Sequence, residues 1–210
     1  MVLSTVAKEV RRIRGRRLRG TLKPNWAAAE TTLRRIARER EEELGIRNVE
    51  VLATKVSVDF ALISQGKAKE ALASTTALLP VLDERLGKHH PIVLREYYVH
   101  GLAYYQLAKF DEAVEALGHA HRGQLGALGI AHPETLRTQF EFAMALKLRG
   151  HNGDNERANV LLDEVVSQAR SVIGNHDDLP WQAFTGATLA RFQCRTLLRL
   201  AHRANHKHKW

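Results

Sequence analysis

The sequence predicts an all-α fold: a solenoid of antiparallel helix pairs, about four repeats long, closed by a C-terminal capping helix. Three observations predict it. The dipeptide Leu44-Gly45 recurs as Leu86-Gly87, Leu128-Gly129 and Ile173-Gly174, at steps of 42, 42 and 45 residues. Behind two of these dipeptides, His90-Pro91 and His132-Pro133 hold the same place, and proline suits the first turn of a helix because its missing N–H is not required there. Between the dipeptides, Tyr97, Gly101, Tyr104, Phe110, Ala113, Leu117 and Ala120 are spaced by 4, 3, 6, 3, 4 and 3. The threes and fours are helical, and the six spans a turn near Ala108-Lys109.

Each dipeptide reads as the end of one helix, a glycine stop and the start of the next. The chain then divides into residues 1–43, a degenerate basic repeat; 44–85; 86–127; 128–172; and 173–210, a capping helix with a basic tail, all within one continuous domain. In the first segment Val6, Val10 and Ile13 allow an amphipathic helix crowded by Arg11, Arg12, Arg14, Arg16, Arg17 and Arg19. Trp26, Ala29, Leu33 and Ile36 follow, 84 residues before Phe110, Ala113, Leu117 and Ala120. Ala68, Ala71, Thr75 and Leu78 form the intermediate copy, and Ala158, Leu162 and Val165 the last. The step of 45 has a visible cause in His151-Asn152-Gly153-Asp154-Asn155, which places a three-residue insertion in a loop. The last helix, about 180–202, repeats only half a unit, with Phe184 where Tyr97 stood.

These residues resemble the tetratricopeptide repeat (TPR) family, whose pattern is an aromatic, a Leu-Gly pair, a Tyr, then Ala, Phe and Ala. The 42-residue period and the Leu-Gly-x-x-His-Pro-x-x-Leu start are similar to the longer subtype of kinesin light chains and many bacterial repeat proteins. The resemblance implies a scaffold that binds peptides or proteins in a concave groove lined by the first helix of each pair. Its groove positions fall on Ala53, Val56, Phe60, Ile63 and Ser64; on Arg95, Tyr98, Leu102, Tyr105 and Gln106; on Arg137, Phe140, Met144, Lys147 and Leu148; and on Gln182, Thr185, Leu189, Phe192 and Gln193. Such a surface is apolar and aromatic with a few cations, and suits a protein or peptide with an apolar segment and an acidic group. The alternative for Phe60, Phe140 and Phe192 is packing against a neighbouring helix, or against a C-terminal tail folded back into the groove. The Asn pair with which the subtype holds a peptide backbone is replaced by Tyr98-Val99 and Phe140-Glu141, which favours side-chain docking, as with an amphipathic helix.

Charge divides unevenly. Residues 1–40 hold 12 of the 32 Lys/Arg and 3 of the 23 Asp/Glu, so residues 41–210 hold 20 of each and the net +9 is all N-terminal. The arginine-rich helix reads as a solvated cap, with docking of an acidic protein or of nucleic acid as alternatives; no base-stacking aromatics alternate with its arginines. Its acid-poor composition imitates a mitochondrial transit peptide, but the segment finds its place as a degenerate repeat, and no apolar stretch of secretory type follows it. Uncharged runs such as Ala71–Leu82 and Tyr97–Ala108 are too short to span a bilayer. One cysteine, Cys194, fits a reducing cytoplasm.

No cofactor, metal site or catalytic constellation is expected. His119 and His121 point to different sides of a helix, His90 and His132 sit at a structural helix start, and His202 and His206 have metal-pair spacing without a third ligand nearby. Gly118, Gly123 and Gly126 fall inside a helix, read either as a hinge or as tight packing between repeats, the latter preferred. Trp181, Phe184, Leu189, Phe192 and Leu197 leave the capping helix with an uncovered apolar face, a route to a homo-oligomer. The sequence thus predicts a non-enzymatic cytoplasmic scaffold.

Overall fold

The computed structural model describes residues 25–174, and all seven regular elements among them are helices: α1 (Trp26–Leu44), α2 (Val49–Ser64), α3 (Ala68–Leu86), α4 (Pro91–Gln106), α5 (Phe110–Leu128), α6 (Pro133–Arg149) and α7 (Asp154–Gly174). The 42-residue period is visible in the helix starts Val49, Pro91 and Pro133. The chain falls into two compact units, one ending at Leu107 and the other beginning at Ala108.

The repeated turn is built as its sequence demands. Gly45, Gly87 and Gly129 all adopt positive φ, at 82°, 80° and 84°, which glycine enters without a Cβ penalty. Their N–H groups close the preceding helix on Glu41, Asp83 and Leu125 carbonyls. Three residues later Asn48, His90 and His132 cap the next helix, each side chain accepting from the N–H two residues on, of Glu50, Ile92 and Glu134. The two histidines therefore serve helix starts, and Pro91 and Pro133 stand at the first helical position.

In the first unit, α2 packs against α1, α3 and α4, and α3 packs against α4. Leu52, Val56, Leu78, Leu82 and Val93 form its central cluster. Tyr97 Oη donates to Asp83 Oδ2 at 2.8 Å, and burial together with that carboxylate pushes its phenol up to about 12. Glu30 of α1 accepts from Lys67 Nζ, Arg34 Nε and Gln65 Nε2, all at 2.8 Å. The Lys67 bond first, then the other two, hold its carboxyl at about 2, so α1 is tied to the α2–α3 turn by a charge-assisted cluster.

In the second unit, α6 packs against both α5 and α7. The repeat alanines and leucines meet there: Ala113, Leu117, Ala120, Ala158, Leu162 and Val165 are all fully buried. The insertion is not confined to the loop. Compared with α4, α6 is one residue longer, the turn that follows has one more residue, and α7 begins one residue earlier in the repeat register. Helix ends absorb the extra residues because Asp154 secures them: Arg149 Nε and Nη2 donate to its two oxygens at 2.8 and 2.7 Å, and the His151 N–H donates at 3.0 Å.

Gly118 settles one of the glycine readings. A Cβ there would stand 3.3 Å from the Phe142 ring, so α5 approaches α6 closely at this point, as tight packing requires. Gly126 faces open space instead.

Candidate functional site

The groove positions of the first unit lie on α2 and α4, which pack side by side. Helical period places them on one stripe of each helix, but neighbouring helices decide what remains accessible. Val56 belongs to the central cluster, and Phe60, Ile63, Tyr98 and Leu102 are buried. Phe60 meets the edge of Trp26 at 5.6 Å between centroids, while the Arg95 guanidinium stands 5.6 Å above its ring. That geometry is a cation–π contact. Gln106 Nε2 donates to the Ile63 carbonyl at 3.1 Å, joining the two helices near their C-terminal ends. The accessible part of the face consists of half-buried Ala53, Ser64, Arg95 and Tyr105 with exposed Gln106. It is more polar than residue type alone implies, because the aromatics form its ground.

In the second unit the corresponding face of α6 carries half-buried Arg137, Met144 and Lys147, exposed Leu148 and buried Phe140. Burial pushes the Lys147 ammonium down, opposed by Asp163. Burial likewise raises the Glu141 carboxyl, opposed by Arg137. Gln182, Thr185, Leu189, Phe192 and Gln193 lie outside the described residues, as do the arginines at 11, 12, 14, 16, 17 and 19 and the apolar face of the last helix.

Two carboxyls that the sequence reading passed over are fully buried: Asp59 on α2 and Glu96 on α4. Burial raises Asp59, opposed by Ser74 and by Glu96 itself. Burial, and then the neighbouring Asp59, raises Glu96 well above the usual carboxylate range. None of their four oxygens has a hydrogen-bond partner, and Arg34 and Arg95 oppose the two shifts only through their charge. Two buried like charges repel and lose hydration, which is why both carboxyls are raised. A signal existed in the sequence, for Asp59 interrupts the otherwise uncharged run Val56–Gln65. Among the described residues no group of three or more His, Cys, Asp or Glu is arranged to hold a metal ion. His121 is instead stacked on Phe142, with centroids 6.0 Å apart and planes at 26°.

No protein-family model matches the chain. No curated protein matches it either. Solved structures do: the nearly identical TPR-like repeats of a kinesin-light-chain-type protein from Podosopora anserina, and a single-substitution form of the same repeats. Each is 23% identical and superposes over 88% of this chain with a TM-score of 0.61, covering 80% of the substituted chain and 81% of the other. The fold is TPR-like. The TPR-like repeat explains why small residues recur in phase along these helices and why each pair restarts at a capped turn, marked by proline at Pro91 and Pro133. No described helix is long and apolar enough to cross a membrane.

Proposed function

We propose that this protein is a non-enzymatic scaffold which binds a protein or peptide along the first helix of each TPR-like pair. The observation that carries the reading is the α2–α4 face, where Arg95, Tyr105 and Gln106 stand at the surface over a ground of buried Phe60, Ile63 and Tyr98. Arginine and tyrosine anchor interfaces because each combines apolar area with a directed polar group. A ligand with an apolar ridge and acidic residues at helical spacing meets both features. On α6, Arg137, Met144, Lys147 and Leu148 offer the second unit's counterpart, and Phe192 would extend it if the last helix continues the repeat. A cytoplasmic setting and a single continuous domain belong to the same proposal.

The test is a fluorescence-polarisation screen of helical peptides bearing Leu or Phe on one face flanked by Asp or Glu. Saturable binding that Arg95→Glu and Tyr105→Ala weaken, with helicity unchanged, supports the scaffold. Binding indifferent to both, or lost only when the arginines at 11–19 are replaced, favours the alternative in which the basic N-terminal helix contacts nucleic acid or an acidic protein.

A further inference from the structure

A second concavity lies in the first unit, between α1 and α3 with α2 as its floor. Three helical stripes line it at i, i+3, i+4 spacing: Arg34, Ala37, Arg38 and Glu41 on α1; Leu52, Lys55, Val58 and Asp59 on α2; Ser74, Ala77, Leu78 and Val81 on α3. Ile46 and Arg47 of the α1–α2 turn close one end. Its volume is about 490 Å³, within the range of small-molecule sites. It shares no residue with the groove positions of α2 and α4, because α2 presents a different stripe to each.

The lining combines apolar walls with a surplus of cations. Arg34, Arg38, Arg47 and Lys55 stand against the carboxyls of Glu41 and Asp59. Glu41 is engaged by Lys55 at 3.0 Å, Arg47 reaches Glu84 at 3.2 Å and Arg34 reaches Glu30 at 2.8 Å. Arg38 is exposed, and no described ion pair neutralises it. Burial raises the Asp59 carboxyl of the floor, and Arg34 is among the groups that oppose the shift. At the equivalent place in the second unit stands an aromatic ring. Eighty-four residues on from Val58 stands Phe142, whose ring is stacked by His121 of α5 and covered by Arg157 of α7 at 5.2 Å.

We propose that the α1–α2–α3 cleft binds a small amphiphilic anion, an apolar chain or ring of roughly ten to twenty heavy atoms ending in one carboxylate or phosphate. The chain lies against exposed Ala77 and Ile46 and half-buried Val81, over a floor of buried Ala37, Leu52, Val58 and Leu78, and the anionic head meets Arg38 at the rim. A peptide backbone fits the site poorly, since the apolar walls leave its N–H and C=O groups without partners.

The probes are monomeric decanoate and decyl phosphate, titrated into the full chain by calorimetry, with decanol and decylammonium as charge controls and butyrate as a length control. Saturable binding of either anion, weaker by roughly tenfold in Arg38→Glu and abolished in Ala77→Phe, supports the site, and the two anions report its head-group preference. Both positions are exposed on their helices, and circular dichroism checks that the variants fold. No saturable binding, equal binding of decanol or decylammonium, or binding that survives both variants, as at the basic N-terminal segment, overturns it. Peptide binding at the α2–α4 face is measured separately, so failure of either proposal leaves the other standing.

Discussion

The α1–α2–α3 layer of the first unit and the α5–α6–α7 layer of the second occupy the same places in the repeat, yet one encloses a cleft and the other a ring. The difference begins with the pair Val58-Asp59 on α2 and its counterpart Phe142-Ala143 on α6, 84 residues apart. The larger side chain needs room on α5, and Gly118 supplies it. It needs faces to pack on, which His121 and Arg157 provide. Val58 cannot span the same distance, and the space beside it stays open. A repeat fold therefore fixes where a cavity can form, while one side chain per repeat decides whether it does.

The strongest way to break the comparison is Phe142→Ala. Removing the ring should cost about 3–5 kcal/mol, because His121, Gly118 and Arg157 lose their shared partner and can collapse only in part. Chemical denaturation checks this. A cost below about 1 kcal/mol would mean that the second unit is not held by its ring.

Acid–base behaviour separates the units next. Asp59 and Glu96 are raised in the folded state, so their contribution is fully present below the unfolded carboxylate pKa and is lost as pH rises toward the folded values. Asp59→Asn should therefore gain stability relative to the wild type as pH is raised from about 4 to about 8. His121 is lowered by burial first, so its contribution has the opposite sign: it is fully present above the ordinary histidine pKa and is lost as pH falls from there through the lower folded value. His121→Phe should flatten that part of the profile. His100, lowered by burial in the first unit, retains an acid-sensitive component there, which is why the comparison is made variant by variant. Thermal melts across pH read both slopes, and parallel curves for wild type and Asp59→Asn would show that burial does not raise the Asp59 carboxyl.

Val58→Phe copies the second unit's choice into the first. Overpacking a filled core costs roughly 1–3 kcal/mol, but here the ring enters an existing cleft, so stability should change by less than about 1 kcal/mol while decanoate binding is lost. A large destabilisation would show the cleft walls to be too rigid to accept a ring. The smallest effect is expected from Gly118→Ala. Helix propensity favours alanine by about 1 kcal/mol, whereas the new Cβ lies 3.3 Å from the Phe142 ring and must displace it slightly. The two terms nearly cancel in the wild type. In a Phe142→Leu background the contact is relieved and Gly118→Ala should become stabilising, a coupling that a double-mutant cycle measures.

Much of the architecture was legible as spacing. Gly45, Gly87 and Gly129 announce positive-φ helix ends, and His90-Pro91 and His132-Pro133 announce helix starts, because capping and backbone geometry are local. The alanines in phase identify the buried stripe for the same reason. The accessible groove was less legible. Phe60, Tyr98 and Phe140 share their stripes with Arg95, Tyr105 and Arg137, and no pattern within one helix says how deeply a neighbour covers each. The insertion near His151 was visible, but its absorption into the ends of α6 and α7 depends on the Arg149–Asp154 clamp.

By itself, then, the sequence determined the helices, their register, the 42-residue unit and the N-terminal concentration of charge, since all four follow from residue order and a period of 3.6. Tertiary structure decided the rest: that Asp59 and Glu96 are both buried with raised carboxyls, that the aromatics of the α2–α4 face form its ground, and that a cleft lies beside Val58. Those are properties of side chains meeting across helices, set by the volume and charge of partners some 14 to 43 residues apart.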